Sequence, residues 1–344
     1  QVVADPTLTA ATRTNSIICQ GGSTIYTSSL SNGTGTVTYQ WQYSADGSSF
    51  SNVAGGTPTG ATYTNPNTTS LTVANISLVG TYYYRLSATS TGSGCTSPAV
   101  STAATVQVVT DPTLTAAART NSIICQGGST VYTSSLSNGT GTVAYQWQYS
   151  ADGSSFTNVA GGTPTGATYT NPTTTSLTVA NISLVGTYYY RLSATSTGSG
   201  CTSPAVSTAA TVQVVADPTL ATATRTNSII CQGGSTVYTC SLSNGTGTVS
   251  YQWQYSTDNV TYTNVINGTP TGANYTNPTA ASMTVGDVTQ SGTYYYRLSA
   301  TSTGSGCASP VYGGGSTIQV VTDPTLAAAT RTNSIICQGG STVY

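Results

Sequence analysis

Covalent chemistry in this chain rests on cysteine. Seven of the eight cysteines fall into two periodic classes. Cys19, Cys125, Cys231 and Cys337 each stand in the phrase Ile-Cys-Gln-Gly-Gly, and Cys95, Cys201 and Cys307 each follow Gly-Ser-Gly. Such regular spacing favours disulfides and an oxidising, extracytoplasmic setting. Cys240 stands apart, in a place held by Ser28 and Ser134 elsewhere, and is expected to be a buried free thiol acting as a small apolar filler.

Other chemistry has little to work with. His, Lys and Glu are absent; the seven basic residues are all Arg and the eight acidic ones all Asp. General acid–base catalysis lacks its usual groups, so no enzyme is expected. Zinc has no His and no Cys-x₂-Cys spacing to bind. Asp46, Asp152 and Asp258 read as turn residues. Asp5, Asp111, Asp217 and Asp323 each precede Pro and read as linker residues. A shared Ca²⁺ site there would need six or more oxygens and several carboxylates. No cofactor is expected. Without Lys, a Lys–Asn isopeptide bond cannot form, so covalent reinforcement must come from cysteine. The net charge is −1 with scattered Arg, which argues against nucleic acid as a partner. No run of 18 apolar residues exists, so no membrane span is expected.

These residues recur because the chain repeats. Asp5-Pro6-Thr7-Leu8 returns at Asp111, Asp217 and Asp323, a period of 106 residues. That is a whole domain, not a solenoid unit. The reading is residues 1–3 as the end of a preceding repeat, then repeats at 4–109, 110–215 and 216–321, and the start of a truncated fourth at 322–344. A chain that opens on Gln1 and stops at Tyr344, inside an expected strand, is expected to be a window on a longer protein. Repeats 1 and 2 differ at six positions, for example Ile25/Val131 and Thr38/Ala144. Repeat 3 has drifted more, mostly after Val260 and around Val311–Thr317.

Each repeat is organised around Tyr-Gln-Trp-Gln-Tyr-Ser, at Tyr39–Ser44, Tyr145–Ser150 and Tyr251–Ser256. Strand alternation puts the aromatic rings on one face and the amides on the other. Trp41, Trp147 and Trp253 are therefore expected in the core, with ~150–250 Å² buried per ring. Asp46-Gly47 follows as a type I′ hairpin signal. Leu8–Arg13 reads as the first strand, Ser23–Leu30 as the second, Thr81–Ser90 as the longest and Ala99–Val109 as the last. On the long strand Tyr82, Tyr84, Leu86 and Ala88 face inward. Short strands between turn residues, with no helical stretch, predict an all-β sandwich. Outward-facing Tyr83 and Arg85, with Tyr189 and Arg191 and with Tyr295 and Arg297, could hold a sugar ring beside Gln40 and Gln42. The plainer reading is a cation–π or cross-strand pair that covers the sheet.

Gly80-Thr81-Tyr82-Tyr83-Tyr84 resembles the corner before the sixth strand of an immunoglobulin-type domain, with Tyr82, Tyr188 and Tyr294 at the tyrosine-corner position. Together with Ile18-Cys19-Gln20-Gly21, Tyr39-Gln40-Trp41 and Gly94-Cys95, it is similar to the immunoglobulin-like tandem repeats of giant cell-surface adhesins and secreted proteins of gliding bacteria. The resemblance covers the three repeats and the stub. It implies export to the cell surface and a rod-like array of all-β immunoglobulin-like sandwiches. At ~3.3 Å rise a ten-residue strand gives ~35 Å per domain. The inter-sheet disulfide of antibody-type domains is missing, its places being read as Ser28 and Tyr84, and Cys240 is expected to face Tyr296.

The pairing of the periodic cysteines stays open between two schemes. Counting and the resemblance favour Cys19–Cys95 and its equivalents inside each repeat. The standard sandwich route places those two at opposite ends of a domain, whereas a bridge needs Cα atoms within ~7 Å. On that ground Cys19–Cys201 and Cys125–Cys307 would clamp the joints, leaving Cys95, Cys231 and Cys337 for repeats elsewhere. The expected function is structural and adhesive, a stalk or filament of an extracellular bacterial surface protein. The alternatives are an array of glycan-binding modules and the spacer of a secreted enzyme. Expected partners are neighbouring repeats of the chain, other chains in a filament, and surface glycans or other cell surfaces.

Overall fold

The computed structural model describes residues 2–344. The chain divides into two compact units, Gln1–Ser122 with Gly127–Val214, and Ile123–Gln126 with Val215–Tyr344. The described residues form strands and turns only; the fold is all-β, with three repeated sandwiches.

Repeat 1 shows the plan. Its strands are β1 Thr7–Leu8, β2 Thr12–Arg13, β3 Ile17–Cys19, β4 Ser23–Thr27, β5 Leu30–Ser31, β6 Val37–Ser44, β7 Ser51–Asn52, β8 Thr62–Thr64, β9 Ser70–Ala74, β10 Gly80–Ser90, β11 Ala99–Val100 and β12 Ala104–Val109. One sheet runs β2-β4-β9-β8; the other runs β3-β12-β10-β6-β7, with β11 also on β10. β1 and β5 pair by themselves. All pairs are antiparallel except β3 with β12, where Val109 lies beside Cys19. A first strand that serves both sheets, with the third, sixth and seventh strands side by side, is the immunoglobulin arrangement. Residues 216–321 build the same two sheets, 224–225 to 274–276 and 229–231 to 263–264.

The core sits where alternation sends the large side chains. Trp41, Tyr26, Tyr84, Leu86, Val106 and Val108 are fully buried. Leu86 lies opposite Trp41 and Tyr84 opposite Tyr43 along β10 and β6. The Trp41 indole Nε1–H, which would cost free energy if buried unpaired, donates to the Thr68 carbonyl at 2.8 Å. Tyr82 donates its hydroxyl to the Leu78 carbonyl at 2.9 Å, the bond that defines a tyrosine corner. Tyr188 and Tyr294 do the same to Leu184 and Gln290.

Four expectations are corrected. The partner of Tyr84 across the core is Tyr26, not Ser28: their rings lie 4.9 Å apart, with Trp41 5.9 Å from Tyr26. A tyrosine pair thus fills the space of the absent inter-sheet disulfide. Cys240 is half-buried rather than buried; its Sγ lies 3.1 Å from the Ala221 carbonyl, at the sandwich edge. Asp46-Gly47 is not a two-residue type I′ turn, because only Gly47 has positive φ and pairing resumes at Tyr43 with Ser51. The Asp46 carboxylate instead accepts the backbone N–H groups of Ser48 and Ser49, each at 2.8 Å, and organises a longer loop. Finally, the expected first, second and last strands are each broken in two. Between β11 and β12, the Ser101 hydroxyl accepts the Leu86 N–H at 2.9 Å in place of a ladder carbonyl.

Candidate functional site

The chemistry-bearing residues meet at the joint between repeats. Cys19 ends β3, where the chain turns through Gln20-Gly21-Gly22 into β4. Cys201 lies in the loop after the long strand Gly186–Ser196 of repeat 2. The two are disulfide-bonded with Cα atoms 4.9 Å apart; Cys125 and Cys307 are bonded likewise at 4.8 Å. Each bridge thus joins one repeat to the next. Cys95, Cys231, Cys240 and Cys337 are free thiols.

The bridge is one part of a seated loop. The Cys19 N–H donates to the Ser199 carbonyl at 2.9 Å. The Ser23 N–H donates to the Ser199 hydroxyl at 2.9 Å, and that hydroxyl donates back to the Ser23 carbonyl at 3.0 Å. The Cys125 N–H likewise donates to the Ser305 carbonyl at 2.9 Å. Glycines allow the close approach. A Cβ on Gly22 would overlap the Ser199 carbonyl, lying 2.8 Å from its carbon. A Cβ on Gly200 would run into the Gly22 backbone, and its φ of +75° is one that side chains disfavour. Cys19 and Cys125 are fully buried in this setting. Sequence reasoning singled out the cysteines but missed Ser199, Gly22 and Gly200. The signal was present, since Cys-Gln-Gly-Gly-Ser and Gly-Ser-Gly-Cys recur in step.

The linker aspartates hold the loop that presents the second cysteine. Asp5 accepts the Thr96 N–H at 3.0 Å and the Thr96 hydroxyl at 2.7 Å. Asp111 binds Thr202 in the same way, and Asp217 accepts the Ala308 N–H at 3.1 Å. The Thr96 backbone bond, then its hydroxyl, hold the Asp5 carboxyl below the usual carboxylate range. At the tip loop, bonds from Ser49, Ser48 and Ser44 hold Asp46 far below that range, and Asp152 and Asp258 are held likewise by their own neighbours. Among the described residues, no group of three or more His, Cys, Asp or Glu comes together to hold a metal. No helix among them is long and apolar enough to cross a membrane.

The outward Tyr/Arg positions are tied into the sheet. The Arg85 guanidinium lies 4.0 Å over the Phe50 ring, and its Nε donates to Gln42 Oε1 at 2.8 Å. Arg191 stacks on Phe156 and bonds Gln148. Arg297 lies over Tyr262 at 4.0 Å and Tyr312 at 4.3 Å. Tyr83 packs beside Gly47, where an added Cβ would meet the ring at 3.1 Å. Arg85 therefore pairs with the hairpin ring of β7's loop rather than with Tyr83.

Two sandwiches of immunoglobulin order, clamped by a bridge that crosses the joint, define a tandem immunoglobulin-like repeat protein. The chain belongs to the family described as a domain of unknown function, DUF8696, which matches it three times, at residues 9–110, 115–216 and 220–322. No curated protein matches the chain. Among solved structures, it is similar to the chicken CNTN1 FN1-FN3 domains at 14% identity, covering 93% of this chain and 100% of that one, with a TM-score of 0.30. It is also similar to the N-terminal eight Ig domains of Down Syndrome Cell Adhesion Molecule, at 14% identity over 93% of this chain and 37% of that one, with a TM-score of 0.36.

Proposed function

We propose that this chain is a structural and adhesive repeat region, a stalk or filament of an extracellular bacterial surface protein, displayed as in the gliding-bacterial adhesins that its motifs resemble. The observation that carries the reading is the interlacing of the bridges. Cys19–Cys201 and Cys125–Cys307 enclose overlapping segments, with residues 125–201 inside both. A single backbone cut anywhere between Cys19 and Cys307 leaves one covalent molecule. Bridges confined to single repeats would leave the linkers at 109–112 and 215–218 unguarded. A chain that must keep its ends connected outside the cell, without Lys for other cross-links, gains from this pattern. The two bridges fit an oxidising, extracellular setting.

Single-molecule pulling from the two ends tests the reading. With both bridges intact, the fully stretched path is residues 1–19, 125–201 and 307–344, run through two disulfides. The oxidised chain should therefore reach less than half the length of the reduced one. Equal lengths in the presence and absence of reductant would overturn the tension-bearing role. A glycan array probed with the same chain should show no binding that depends on Arg85, Arg191 or Arg297, because each guanidinium is already stacked and bonded. Specific, Arg-dependent binding would favour the glycan-module reading instead.

A further inference from the structure

More than the bridge holds each joint. The linker is tied on both sides. The Gln20 N–H of repeat 1 donates to the Val109 carbonyl, and the Gly139 N–H of repeat 2 donates to the Thr110 carbonyl, each at 3.0 Å. At the next joint, Gln126 to Val215 and Gly245 to Ala216 have the same lengths. We propose that the joint is a snap that seats before its bridge closes: the Gly198–Cys201 loop docks on Cys19–Ser23 with the thiols still reduced, and this docking selects Cys201 as the partner of Cys19. At rest the seat is indifferent to redox state; oxidation turns it into a covalent clamp.

Both halves keep their shape without a bridge. In the receiving turn the Gly21 N–H donates to the Ile76 carbonyl and the Gly22 N–H to the Cys19 carbonyl, each at 2.9 Å. In the docking loop the Cys201 N–H donates to the Gly198 carbonyl at 3.2 Å, and Asp111 braces Thr202. Cys231 and Cys95 are unbridged, yet the Gly234 N–H donates to the Cys231 carbonyl at 2.9 Å and the Cys95 N–H to the Gly92 carbonyl at 3.3 Å. The two shapes therefore belong to each repeat's own packing, and little ordering cost is left for docking. A linker tied at successive residues also gives each half a high effective concentration at the other.

The docked contacts use no sulfur. The Cys19 N–H bond to the Ser199 carbonyl, and the reciprocal bonds of Ser23 with the Ser199 hydroxyl, join the repeats through backbone and hydroxyl groups. Each sulfur also has a carbonyl within reach of a thiol proton. Cys19 Sγ lies 3.8 Å from the Thr110 carbonyl and Cys201 Sγ 3.8 Å from that of Thr140; Cys307 Sγ lies 3.7 Å from that of Thr246. A reduced Cys19 in the seat thus leaves no buried donor unpaired. Cys95 is out of reach. Cys19 lies beside Val109, at the Gly80 end of β10, whereas Cys95 follows Ser90 at the other end.

Closure needs an oxidant, and a small-molecule disulfide such as oxidised glutathione supplies it. Cys19 is fully buried and Cys201 half-buried, so Cys201 reacts first. Its thiolate attacks one sulfur of the small disulfide, whose S–S bond breaks, and one thiol leaves. The Cys19 thiolate then attacks the Cys201 sulfur of the mixed disulfide and the second thiol leaves. Two electrons pass from the cysteine pair to the small disulfide, and the two cysteine protons end on the released thiols.

The proposal rests on the reading of the joint as a clamp. Its test applies no load, so its failure would leave the pulling result standing. The Cys19 and Cys125 amides are the reporters, since each bonds to the next repeat, at Ser199 and Ser305. In the whole chain held in reductant, both should exchange within about threefold of their rates in the oxidised chain. In a dilute glutathione redox buffer, Cys19–Cys201 and Cys125–Cys307 peptides should be the first to reappear. Gly22→Ala drives a Cβ into the Ser199 carbonyl. It should free the Cys19 amide and slow closure of Cys19–Cys201 about tenfold, while the Cys125 joint of the same molecule is unchanged. Ser199→Ala removes only the reciprocal pair with Ser23, leaves repeat 1 untouched, and should slow the same bridge by a smaller factor. Fast Cys19 exchange in a reduced chain whose Trp41 amide stays protected would overturn the proposal. So would a Cys19–Cys95 bridge, or undiminished closure in both variants.

Discussion

Repeats 1 and 3 solve the same packing problem with different residues, and the differences come in matched sets. Ser28 and Ser101 of repeat 1 become Cys240 and Gly313. A Cβ on Gly313 would lie 2.7 Å from the Ala221 carbonyl and 3.3 Å from the Cys240 sulfur. The larger sulfur is thus accommodated by the lost side chain. Phe50 and Ala103 become Tyr262 and Gly315. The Tyr262 hydroxyl donates to Asn259 Oδ1 at 2.6 Å, and a Cβ on Gly315 would overlap that hydroxyl. Val100 becomes Tyr312, which gives Arg297 a second ring where Arg85 has one. By contrast the innermost set is unchanged: Tyr238, Trp253 and Tyr296 keep the spacing of Tyr26, Trp41 and Tyr84. The sandwich edge drifts in coupled pairs while the aromatic centre holds, because close-packed interiors transmit a volume change to every neighbour.

If that contrast is right, the centre should be the costliest place to cut, and equally so in each repeat. Trp147→Ala and Trp253→Ala should each lose ~3–5 kcal/mol, read by denaturant unfolding of the affected repeat. A solvent-exposed indole, or a loss below that range in one repeat only, would break the equivalence. The joint comes next. Cys125→Ser should cost about 2–4 kcal/mol, the usual range for a bridge that closes a long loop. It should also make the 215–218 linker severable by a single proteolytic cut.

The edge comparison sharpens with a smaller change. Gly315→Ala should destabilise repeat 3 by about 1–3 kcal/mol through overpacking against Tyr262, and Tyr262→Phe in the same chain should restore most of it. Ala103→Gly in repeat 1, where the ring is Phe50, should cost no more than about 1 kcal/mol from backbone entropy. Additive effects of Gly315→Ala and Tyr262→Phe would mean that the pair is not coupled.

The smallest effects concern pH, and there the repeats should agree. Asp46, Asp152 and Asp258 are all held below their ordinary values, so their unfolded forms bind protons first. Their stabilisation is full above the unfolded value, ~3.9, and falls as pH drops through the lower folded values. Hydrogen exchange at Ser48, Ser49 and their equivalents should therefore speed up only in strong acid. On the alkaline side the tyrosines act with the opposite sign. Burial pushes Tyr63 up to about 12 and Tyr84 still higher. Their contribution is full below the unfolded value, ~10, and is lost as pH rises through the folded ones. A melt that is flat from pH 9 to 12 would contradict that burial.

Much of this architecture was legible in local residue order. Alternation in Tyr39–Ser44 and Thr81–Ser90 placed Trp41, Tyr82 and Leu86 inward because side chains on a strand have period two. The recurrence of Asp-Pro-Thr-Leu set the period, and the absence of Lys, Glu and His removed whole classes of chemistry. What the sequence could not decide was anything set by contacts between distant segments. The Tyr26–Tyr84 pair, two residues from the expected Ser28, depends on how one sheet slides over the other. The half-exposed state of Cys240 depends on Gly313, far along the chain. The choice between a bridge inside a repeat and one across a joint depends on which cysteines the folded ends bring within bonding distance. Cys19 and Cys95 share a repeat, yet Cys201, 182 residues from Cys19, is its partner. Spacing in sequence is blind to that, because a sandwich sends the ends of successive strands to opposite poles, and only the packed domains determine which poles meet.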